Sequence, residues 1–489
     1  MMRSSIKALT VGMALMLGGC TMIPDYHRPT APIAKAWPDK ATEVAASDMA
    51  NLENWRDFYR DPVLQSLIET ALTNNRDLQI AQHQVEASSA QFDIENAALF
   101  PTLNGTAGAS VQKMNSRIWS LSQGNGPFYM RQYAVGFGVS AYEVDLWGRI
   151  RSASRASFDR YVGDELGRES MRLSIIASVS TAMLNWVANN QALLVTQNVL
   201  ENRRHTYNLV KQTADVGTGT QLDVAEAEAA MRDAETNLQI YTRQRDQAMN
   251  QIELLVGTPL TPGTRQELEH KASLEDVVPF PDVPEGLPSD MIARRPDILS
   301  AEQVLRAAND DIGAARAEFF PKIQITAANG TASNNITRLF QSGMGAWNVA
   351  PQITLPLFDA GRLTAQLHQA KAHRKEEVSR YEKTVQTAFR EVADALAGRS
   401  TYLEQLQAQT LLVGASTRQY QLALARFKGG YDPYLETLVA QRALYDAQLG
   451  AIRTRLQQMS NTITLYKTLG GGWNMAIPQR KDTITNHVL

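Results

Sequence analysis

The chain contains one cysteine, Cys20, among 489 residues. A single thiol excludes a disulfide within the chain and the multi-cysteine sites of structural zinc. The seven histidines are scattered, and the spacing of His368 and His373 does not place both on one helical face. The sequence has no HExxH pattern and no phosphate-binding loop. We therefore predict no enzymatic activity, no catalytic residue, no metal and no cofactor other than the lipid on Cys20 discussed below.

An excess of either charge is also missing. The chain has 48 basic and 50 acidic residues and a formal net charge of −2, which argues against non-specific nucleic-acid binding. Proline is absent from residues 152–212 and 363–428. These two runs predict helices of about 60 residues, roughly 90 Å long. Neither contains eighteen consecutive apolar residues, so we predict no membrane-spanning helix.

The N-terminus has the layout of an export signal. Arg3 and Lys7 precede about a dozen apolar or small residues that end at Cys20. Residues 17–20, LGGC, resemble a bacterial lipobox, which implies a signal peptide at residues 1–19 and a lipid attached to Cys20. Thr21 follows in place of aspartate, which favours the outer membrane. The alternative is an ordinary buried cysteine at the end of a core helix.

The chain repeats itself. Three pairs of glycines are each 213 residues apart: Gly148 and Gly361, Gly217 and Gly430, Gly257 and Gly470. Upstream, Pro101 and Pro321 are 220 residues apart, so the first copy carries a longer loop. This pattern predicts two copies of one plan, with chance similarity between Ala/Gln-rich helices as the alternative.

The sequence pattern of each copy predicts a helix, two strands, a long helix, a glycine-rich turn and a further helix. Residues 133–141 and 349–357 alternate apolar with small or polar side chains, which is typical of half-buried strands. Four strands with open edges cannot lie in lipid, because their edge backbone groups would be unpaired. A membrane location therefore requires several chains to close one barrel. A soluble antiparallel sheet is the alternative.

Long motifs resemble the outer-membrane factor (TolC) family, in its lipidated OprM-like branch, which serves resistance-nodulation-division (RND) multidrug efflux pumps. The resemblance implies a mixed α/β membrane protein with an internal two-fold repeat. In this fold, a trimeric twelve-stranded transmembrane β-barrel, with four strands per chain, continues into a long periplasmic α-helical barrel. The motifs lie at residues 23–29 (IPDYHRP), 54–68 (NWRDFYRDPVLQSLI), 74–81 (NNRDLQIA), 140–152 (SAYEVDLWGRIRS), 286–298 (GLPSDMIARRPDI), 309–323 (NDDIGAARAEFFPKI) and 465–473 (LYKTLGGGW).

The same resemblance implies the function and partners. The chain is expected to be the outer-membrane exit duct of a tripartite RND-type pump, conducting drugs and small toxic compounds passively from the periplasm to the outside. Expected partners are two further copies of the chain, a periplasmic adaptor protein, an inner-membrane RND transporter and outer-membrane lipid, and no nucleic acid.

The resemblance also places two functional regions at the hairpin tips. It implies a periplasmic gate at Asp432, with Tyr431 and Glu436 as further candidates. Pro433 stands where the family often has asparagine, so Asp432 has a second interpretation, as the cap of the following helix. Adaptor contact is expected at the tips. The alternative for the first tip is a plain turn with Asp223 in solvent. The residues implied in adaptor contact are Gly217, Thr218, Gly219, Asp223 and Gly430.

The predicted organisation follows the repeat. We predict a lipidated extended segment at 20–60, first helices at 61–101, strands and an extracellular loop at 102–147, a long helix and hairpin at 148–260 and a linker at 261–288. The second copy supplies first helices at 289–320, strands and a loop at 321–358, a long helix and hairpin at 359–470 and a tail at 471–489.

Three other functions stay open at this point. A metal-efflux duct and a type I secretion duct would share the fold. A periplasmic lipoprotein scaffold without a pore is a different class, against which the half-buried strands argue.

Overall fold

A computed structural model describes residues 21–30, 32–34, 54–115, 127–281 and 294–473. The predicted signal peptide, Cys20 and the C-terminal tail from residue 474 lie outside these residues, as do residues 282–293, where the second copy's first helices were expected to begin.

The first repeat follows the predicted order, but a short helix at Trp55–Phe58 lies in the segment that was predicted to be extended. Its elements are α1 (Trp55–Phe58), α2 (Pro62–Asn74), α3 (Arg76–Ala97), β1 (Leu103–Asn115), β2 (Pro127–Glu143), α4 (Arg149–Asp215) and α5 (Gln221–Val256). The linker contains α6 (Pro262–Glu269) and a short 3-10 turn (Leu274–Asp276). Asp61 starts α2 as its N-cap, accepting hydrogen bonds from two backbone N–H groups, and Pro62 occupies the first turn.

The second repeat has the same order. Its elements are α7 (Pro296–Ala317), β3 (Lys322–Ser333), a 3-10 turn (Ile336–Arg338), β4 (Gly345–Thr354), α8 (Arg362–Lys428) and α9 (Tyr434–Thr468). The two long helices, α4 and α8, each contain 67 residues and extend about 100 Å.

The paired glycines share a conformation as well as a spacing. Gly217 and Gly430 have φ values of 82° and 73°, and Gly257 and Gly470 have 79° and 75°. Gly148 and Gly361 likewise have positive φ, at the N-caps of α4 and α8. Glycine adopts this left-handed region without steric cost, which explains why the repeat retains it there.

Equivalent positions also make equivalent contacts. The amide of Asn75 donates to the carbonyl of Leu255 at 2.7 Å. At the matching place in the second repeat, the guanidinium of Arg295 donates to the carbonyl of Thr468 at 3.0 Å. Both contacts attach the start of a first helix to the end of the helix that closes the repeat, so the two copies fold on one plan.

The four strands form one antiparallel sheet in the order β1-β2-β3-β4. The register places Phe137 opposite Asn329, and Asn329 opposite Trp347. The face that carries Phe137 and Trp347 is mainly apolar. The other face carries small, hydroxyl or amide side chains, among them Thr106, Gln132, Gln324, Thr326, Asn348 and Gln352.

Glycines show which way the sheet curves. A Cβ at Gly136 would lie 2.6 Å from the carbonyl oxygen of Asn329, and one at Gly330 would lie 2.2 Å from that of Val135. These glycines are paired with each other on the polar face. Strands approach too closely there for a side chain, so the polar face is concave and the apolar face convex.

One strand ends earlier than predicted. We expected residues 349–357 to be extended in the ladder, but β4 ends at Thr354. Pro356 follows within two residues and has no N–H to donate to a neighbour. Leu357 and Phe358 instead lie exposed, 89% and 90%, between the sheet and α8.

The largest core lies around the middle of α4. There Phe58 stacks on Tyr466 with ring centroids 3.9 Å apart, and Leu184 and Ile252 are fully buried. By length and composition α4 could cross a membrane, with a window of mean hydropathy 1.2, but 67% of that window is buried inside the protein. Most apolar side chains of α4 are therefore buried in this core.

The N-terminal strap, defined as residues 21–30, lies against the second repeat. The guanidinium of Arg316 donates to the carbonyl of Met22 at 3.2 Å, and the amide of Asn309 donates to that of Pro24 at 2.8 Å. Between them Ile23 fills the space beside Gly313, where a Cβ would lie 2.5 Å from its side chain. The strap thus holds the chain two residues after Cys20 near the end of α7 that leads into β3.

Candidate functional site at the hairpin tips

Two glycine turns reverse the chain at the tips of the helical hairpins. In the first, the N–H groups of Thr218 and Gly219 both donate to the carbonyl of Thr213, at 2.9 and 3.0 Å. In the second, the N–H of Tyr431 donates to the carbonyl of Arg426 at 3.0 Å. Both turns were predicted from their glycines, and Gly217 and Gly430 have open space around the position of a Cβ.

Asp432 forms an ion pair across the second turn. Both of its carboxylate oxygens accept from the guanidinium of Arg426, one of them from Nη2 at 2.9 Å. This hydrogen bond lowers the pKa of Asp432 and raises that of Arg426. The Asp432 side chain is 23% exposed and that of Arg426 is 61% exposed.

The interpretation of Asp432 as a helix cap is wrong. The N-cap of α9 is Pro433, and no side chain among the described residues caps this helix end. The carboxylate is instead turned toward Arg426, because the backbone hydrogen bond of Tyr431 brings the end of α8 beside it.

The other two gate candidates are exposed. Tyr431 is 80% exposed at the apex of the turn, and Glu436 lies exposed in the first turn of α9. Glu436 holds the third helical position, from which a carboxylate often returns to the N-cap N–H. Proline at the N-cap has no N–H, so Glu436 cannot make this bond.

The first tip is capped differently. Thr220 and Asp223 form a reciprocal capping box: the N–H of Asp223 donates to Thr220 Oγ1 at 3.1 Å, and the N–H of Thr220 donates to Asp223 at 3.2 Å. The alternative that Asp223 is merely solvated is therefore wrong, since its carboxylate fixes the start of α5. Both tips contain a glycine turn, but the helix after the first tip begins with a capping box and the helix after the second begins at Pro433.

Tyr434 packs the second tip against the first. It is 3% exposed and lies in a cluster with the buried Val210 and Ala227 of the first hairpin. Phe427 contacts it with ring centroids 5.5 Å apart. Burial raises the pKa of Tyr434 to about 12, so its hydroxyl stays neutral at ordinary pH.

A buried arginine ties the same helices together further from the tip. Arg203 is 3% exposed and donates from α4 to the carbonyl of Ala230 on α5 at 2.7 Å, and to Asp233 at 2.9 Å. Its guanidinium lies 6.0 Å from the ring centre of Tyr445 on α9. Hydrogen bonds of Arg203 thus join the two helices of the first hairpin, and the second hairpin contacts the first through Tyr434 and Tyr445.

Sequence reasoning missed two residues of this site. Arg426 could have been noticed as an opposite charge just before the turn that Asp432 follows. Tyr434 gave no such signal, since its burial depends on a helix more than two hundred residues away. Among the described residues, no group of three or more histidine, aspartate or glutamate side chains is placed to hold a metal ion.

Comparison with known proteins places this architecture in a family. The family model for outer membrane efflux proteins matches residues 67–258 and 287–471, one segment for each repeat. The chain belongs to the outer membrane efflux protein family.

Relatives are similar in sequence to this chain over nearly its full length. The chain is 42% identical over 479 residues to the toluene efflux pump outer membrane protein TtgC of Pseudomonas putida, covering 96% of each sequence. It is 38% identical over 476 residues to the outer membrane protein OprJ of Pseudomonas aeruginosa, again covering 96% of each.

Solved structures of outer membrane channels have a similar fold. The open state of the MtrE outer membrane channel of Neisseria gonorrhoeae shares 35% identity with a TM-score of 0.81, covering 93% of this chain and 98% of that one. A structure of the CusC channel shares 30% identity with a TM-score of 0.80 and covers 93% of this chain. The predicted fold class, efflux function and outer-membrane location of this outer membrane efflux protein are confirmed.

Proposed function

We propose that this outer membrane efflux protein is a homotrimeric, passive exit duct that is gated at its second hairpin tip. The observation that carries the proposal is the curved four-stranded sheet, apolar on its convex face and polar on its concave face, with open edges at β1 and β4. Three copies joined edge to edge make a closed barrel of twelve strands, which leaves no strand edge unpaired in lipid.

The long helices extend the duct into the periplasm. Both hairpin tips lie at the ends of α4 and α8 far from the sheet, so a partner anchored in the inner membrane meets the tips first. Val216 and Leu222 are 74% and 68% exposed beside the first turn, which supports an apolar contact there. We propose that Gly217, Thr218, Gly219, Asp223 and Gly430 form the surface for a periplasmic adaptor, which couples the duct to an inner-membrane RND transporter.

Asp432 is the proposed constriction. Three symmetry-related copies bring three carboxylates together around the axis, with Tyr431 and Glu436 exposed beside them. The ion pair with Arg426 within each chain holds the carboxylate in place and tethers the turn to α8. Opening requires the second hairpin to move. Of the two helices that follow the tips, α5 has a side-chain cap, whereas α9 has none within the described residues.

The lipid is proposed to support delivery and assembly. The strap fixes Met22 at the end of α7, beside the start of β3, so a lipid on Cys20 lies close to the membrane that surrounds the sheet. A closed barrel already anchors the protein in the membrane, so the lipid is not needed as an anchor. The predicted segmentation of the chain, from the signal peptide at 1–19 to the tail at 471–489, is part of this proposal.

Planar-bilayer recording tests the duct and its gate together. The purified protein is expected to give a small conductance that rises in Asp432→Ala. Asp223→Ala, at the first tip, removes a carboxylate that serves as a helix cap, and it is the matched control with little change expected. No conductance in either the wild type or Asp432→Ala would overturn the duct, whereas an equal rise in both variants would overturn the gate at Asp432.

A further inference from the structure

The sequence around the strands is basic and lacks acidic residues. Residues 103–142 and 323–358, which contain most of the four strands, have no aspartate or glutamate. The charged side chains in these two ranges are Lys113, Arg117, Arg131 and Arg338. Glu143 and Lys322, which border the ranges at the helical end of the sheet, offset each other. A local excess of positive charge in a chain of net charge −2 indicates an anionic partner for this region.

Two of these cations lie on the convex face of the sheet. The register pairs Arg131 with Val111 and Lys113 with Tyr129. Since side chains alternate between the faces along an unbroken ladder, Arg131 shares the apolar face of Phe137, six residues further along the same strand. Lys113 lies on this face as well, because paired residues point to the same side. Both side chains are exposed, on the face that contacts lipid in the proposed barrel.

The length of the strands places both cations at the outer border of the membrane. Lys113 lies ten residues after Leu103, the first residue of β1. At about 3.4 Å per residue and a strand tilt of about 40°, this distance is roughly 26 Å along the barrel axis. The apolar band of such barrels is about 25 Å tall. Because the helices lie on the periplasmic side, Lys113 reaches the level of the headgroups in the outer leaflet.

Tyrosines on β2 mark the same level. Tyr129 and Tyr133 flank Arg131 on the convex face, and Tyr129 is 61% exposed. Tyrosine is enriched at membrane–water interfaces, where its ring contacts apolar chains and its hydroxyl contacts water. Deeper on this face, Val135 pairs with Ala107, and neither carries a charge. The tyrosines thus support a headgroup position for Arg131 independently of the distance along the strand.

The strands supply no carboxylate to pair with these cations. Lys113 and Arg131 are diagonal neighbours on adjacent strands, a relation that separates two residues by about 7–8 Å. Glu143, at the end of β2, pairs instead with Arg149 at 2.7 Å. Two like charges this close repel each other, and an anion between them would remove the repulsion. One phosphate group is small enough to contact both side chains, since both are long and flexible.

We propose that Lys113 and Arg131 bind the phosphate groups of lipid in the outer leaflet. An arginine guanidinium binds phosphate through paired N–H groups, and a lysine ammonium adds a point charge. Lipid is the source of the phosphate because the two cations continue the apolar face that contacts acyl chains. The proposal rests on the proposed barrel, which directs this face toward the membrane.

Lipid binding to the assembled trimer tests the site. Native mass spectrometry in detergent would measure the affinity for diphosphoryl lipid A, a lipid whose headgroup carries two phosphates. A cation near an anionic lipid surface contributes roughly a fivefold gain in binding, so the double variant Lys113→Gln, Arg131→Gln should bind about 25-fold more weakly. The matched control is Lys211→Gln, Arg390→Gln, which removes the same two charges from exposed positions on α4 and α8 and should bind like the wild type.

Further variants and ligands separate this proposal from its alternatives. Lys113→Arg, Arg131→Lys keeps both charges and should retain most of the binding. Each single glutamine variant should bind about fivefold more weakly, which keeps the test available if the double variant does not assemble. Inorganic phosphate should displace little lipid, and complete displacement would assign the site to soluble anions and overturn the proposal.

Failure of this proposal and failure of the barrel give different results. Unchanged binding of lipid A to an assembled Lys113→Gln, Arg131→Gln trimer would overturn the lipid site alone. A wild-type protein that forms no trimer would overturn the barrel on which the site rests.

Discussion

The contact between the two hairpin tips yields a quantitative prediction for Tyr434→Ala. Tyr434 is 3% exposed and fills the space between the first hairpin and Phe427. Removing a buried aromatic ring costs about 3–5 kcal/mol. The tip can partly collapse into the space left, so we expect the lower end, about 3 kcal/mol. That free energy corresponds to roughly a hundredfold increase in the population of the separated tip.

Native-state hydrogen exchange measures this population. Amides at the end of α8 and the start of α9 are expected to exchange roughly a hundredfold faster in Tyr434→Ala, while amides in the core around Leu184 stay unchanged. Tyr434→Phe keeps the ring and is the matched control, with an expected cost below about 1 kcal/mol. The reasoning is refuted if Tyr434→Ala accelerates tip exchange less than tenfold, or if Tyr434→Phe accelerates it equally.

Three further predictions concern single positions. Gly257→Ala should destabilise the protein by more than about 2 kcal/mol in thermal unfolding, because left-handed strain adds to a backbone clash at 2.3 Å, whereas Gly430→Ala, with open space, should cost only about 1–2 kcal/mol. Asp61→Ala should cost about 3–5 kcal/mol in denaturant unfolding, because a fully buried carboxylate that pairs with a lysine is lost. Protonation of Asp432 should raise the conductance as Asp432→Ala does, and Arg426→Gln should move this rise to higher pH, because Arg426 lowers the pKa of Asp432.

Each of these predictions has an internal comparison. Equal destabilisation by the two glycine variants would show that the close approach near Gly257 contributes nothing. For Asp61, Asp223→Ala removes a partly exposed cap and should cost only about 1 kcal/mol. For the pH experiment the sign is decisive. The wild-type carboxylate stays charged to lower pH than an ordinary aspartate, so a downward shift in Arg426→Gln would contradict the ion pair.

The repeat was predictable because its markers depend on local chemistry. Gly217 and Gly430 adopt a backbone conformation that other residues avoid, so they can be recognised from the sequence wherever the plan recurs. The long helices were predictable for a similar reason, since a proline-free run of helix-forming residues has few alternatives.

Contacts between distant segments were not predictable. The strap meets α7 through Asn309 and Pro24, which are 285 residues apart, and no local pattern connects them. The orientation of Asp432 likewise depended on where the turn placed Arg426, and Pro433 suggested a cap that the backbone did not form. Sequence alone identified Asp432 and the glycines of the turn, but not Arg426, with which Asp432 pairs.

The two open edges of the sheet have a consequence for biogenesis. A newly exported chain carries β1, with 13 residues, and β4, with 10, each exposing one row of backbone groups with no neighbour. Such unpaired strand edges can pair with any other extended chain, whether or not it is the correct partner. The lipid proposed on Cys20 would confine the chains to a membrane surface and so reduce the search for partners from three dimensions to two. Cys20 would then act mainly before the barrel exists, by shortening the time that each chain spends alone.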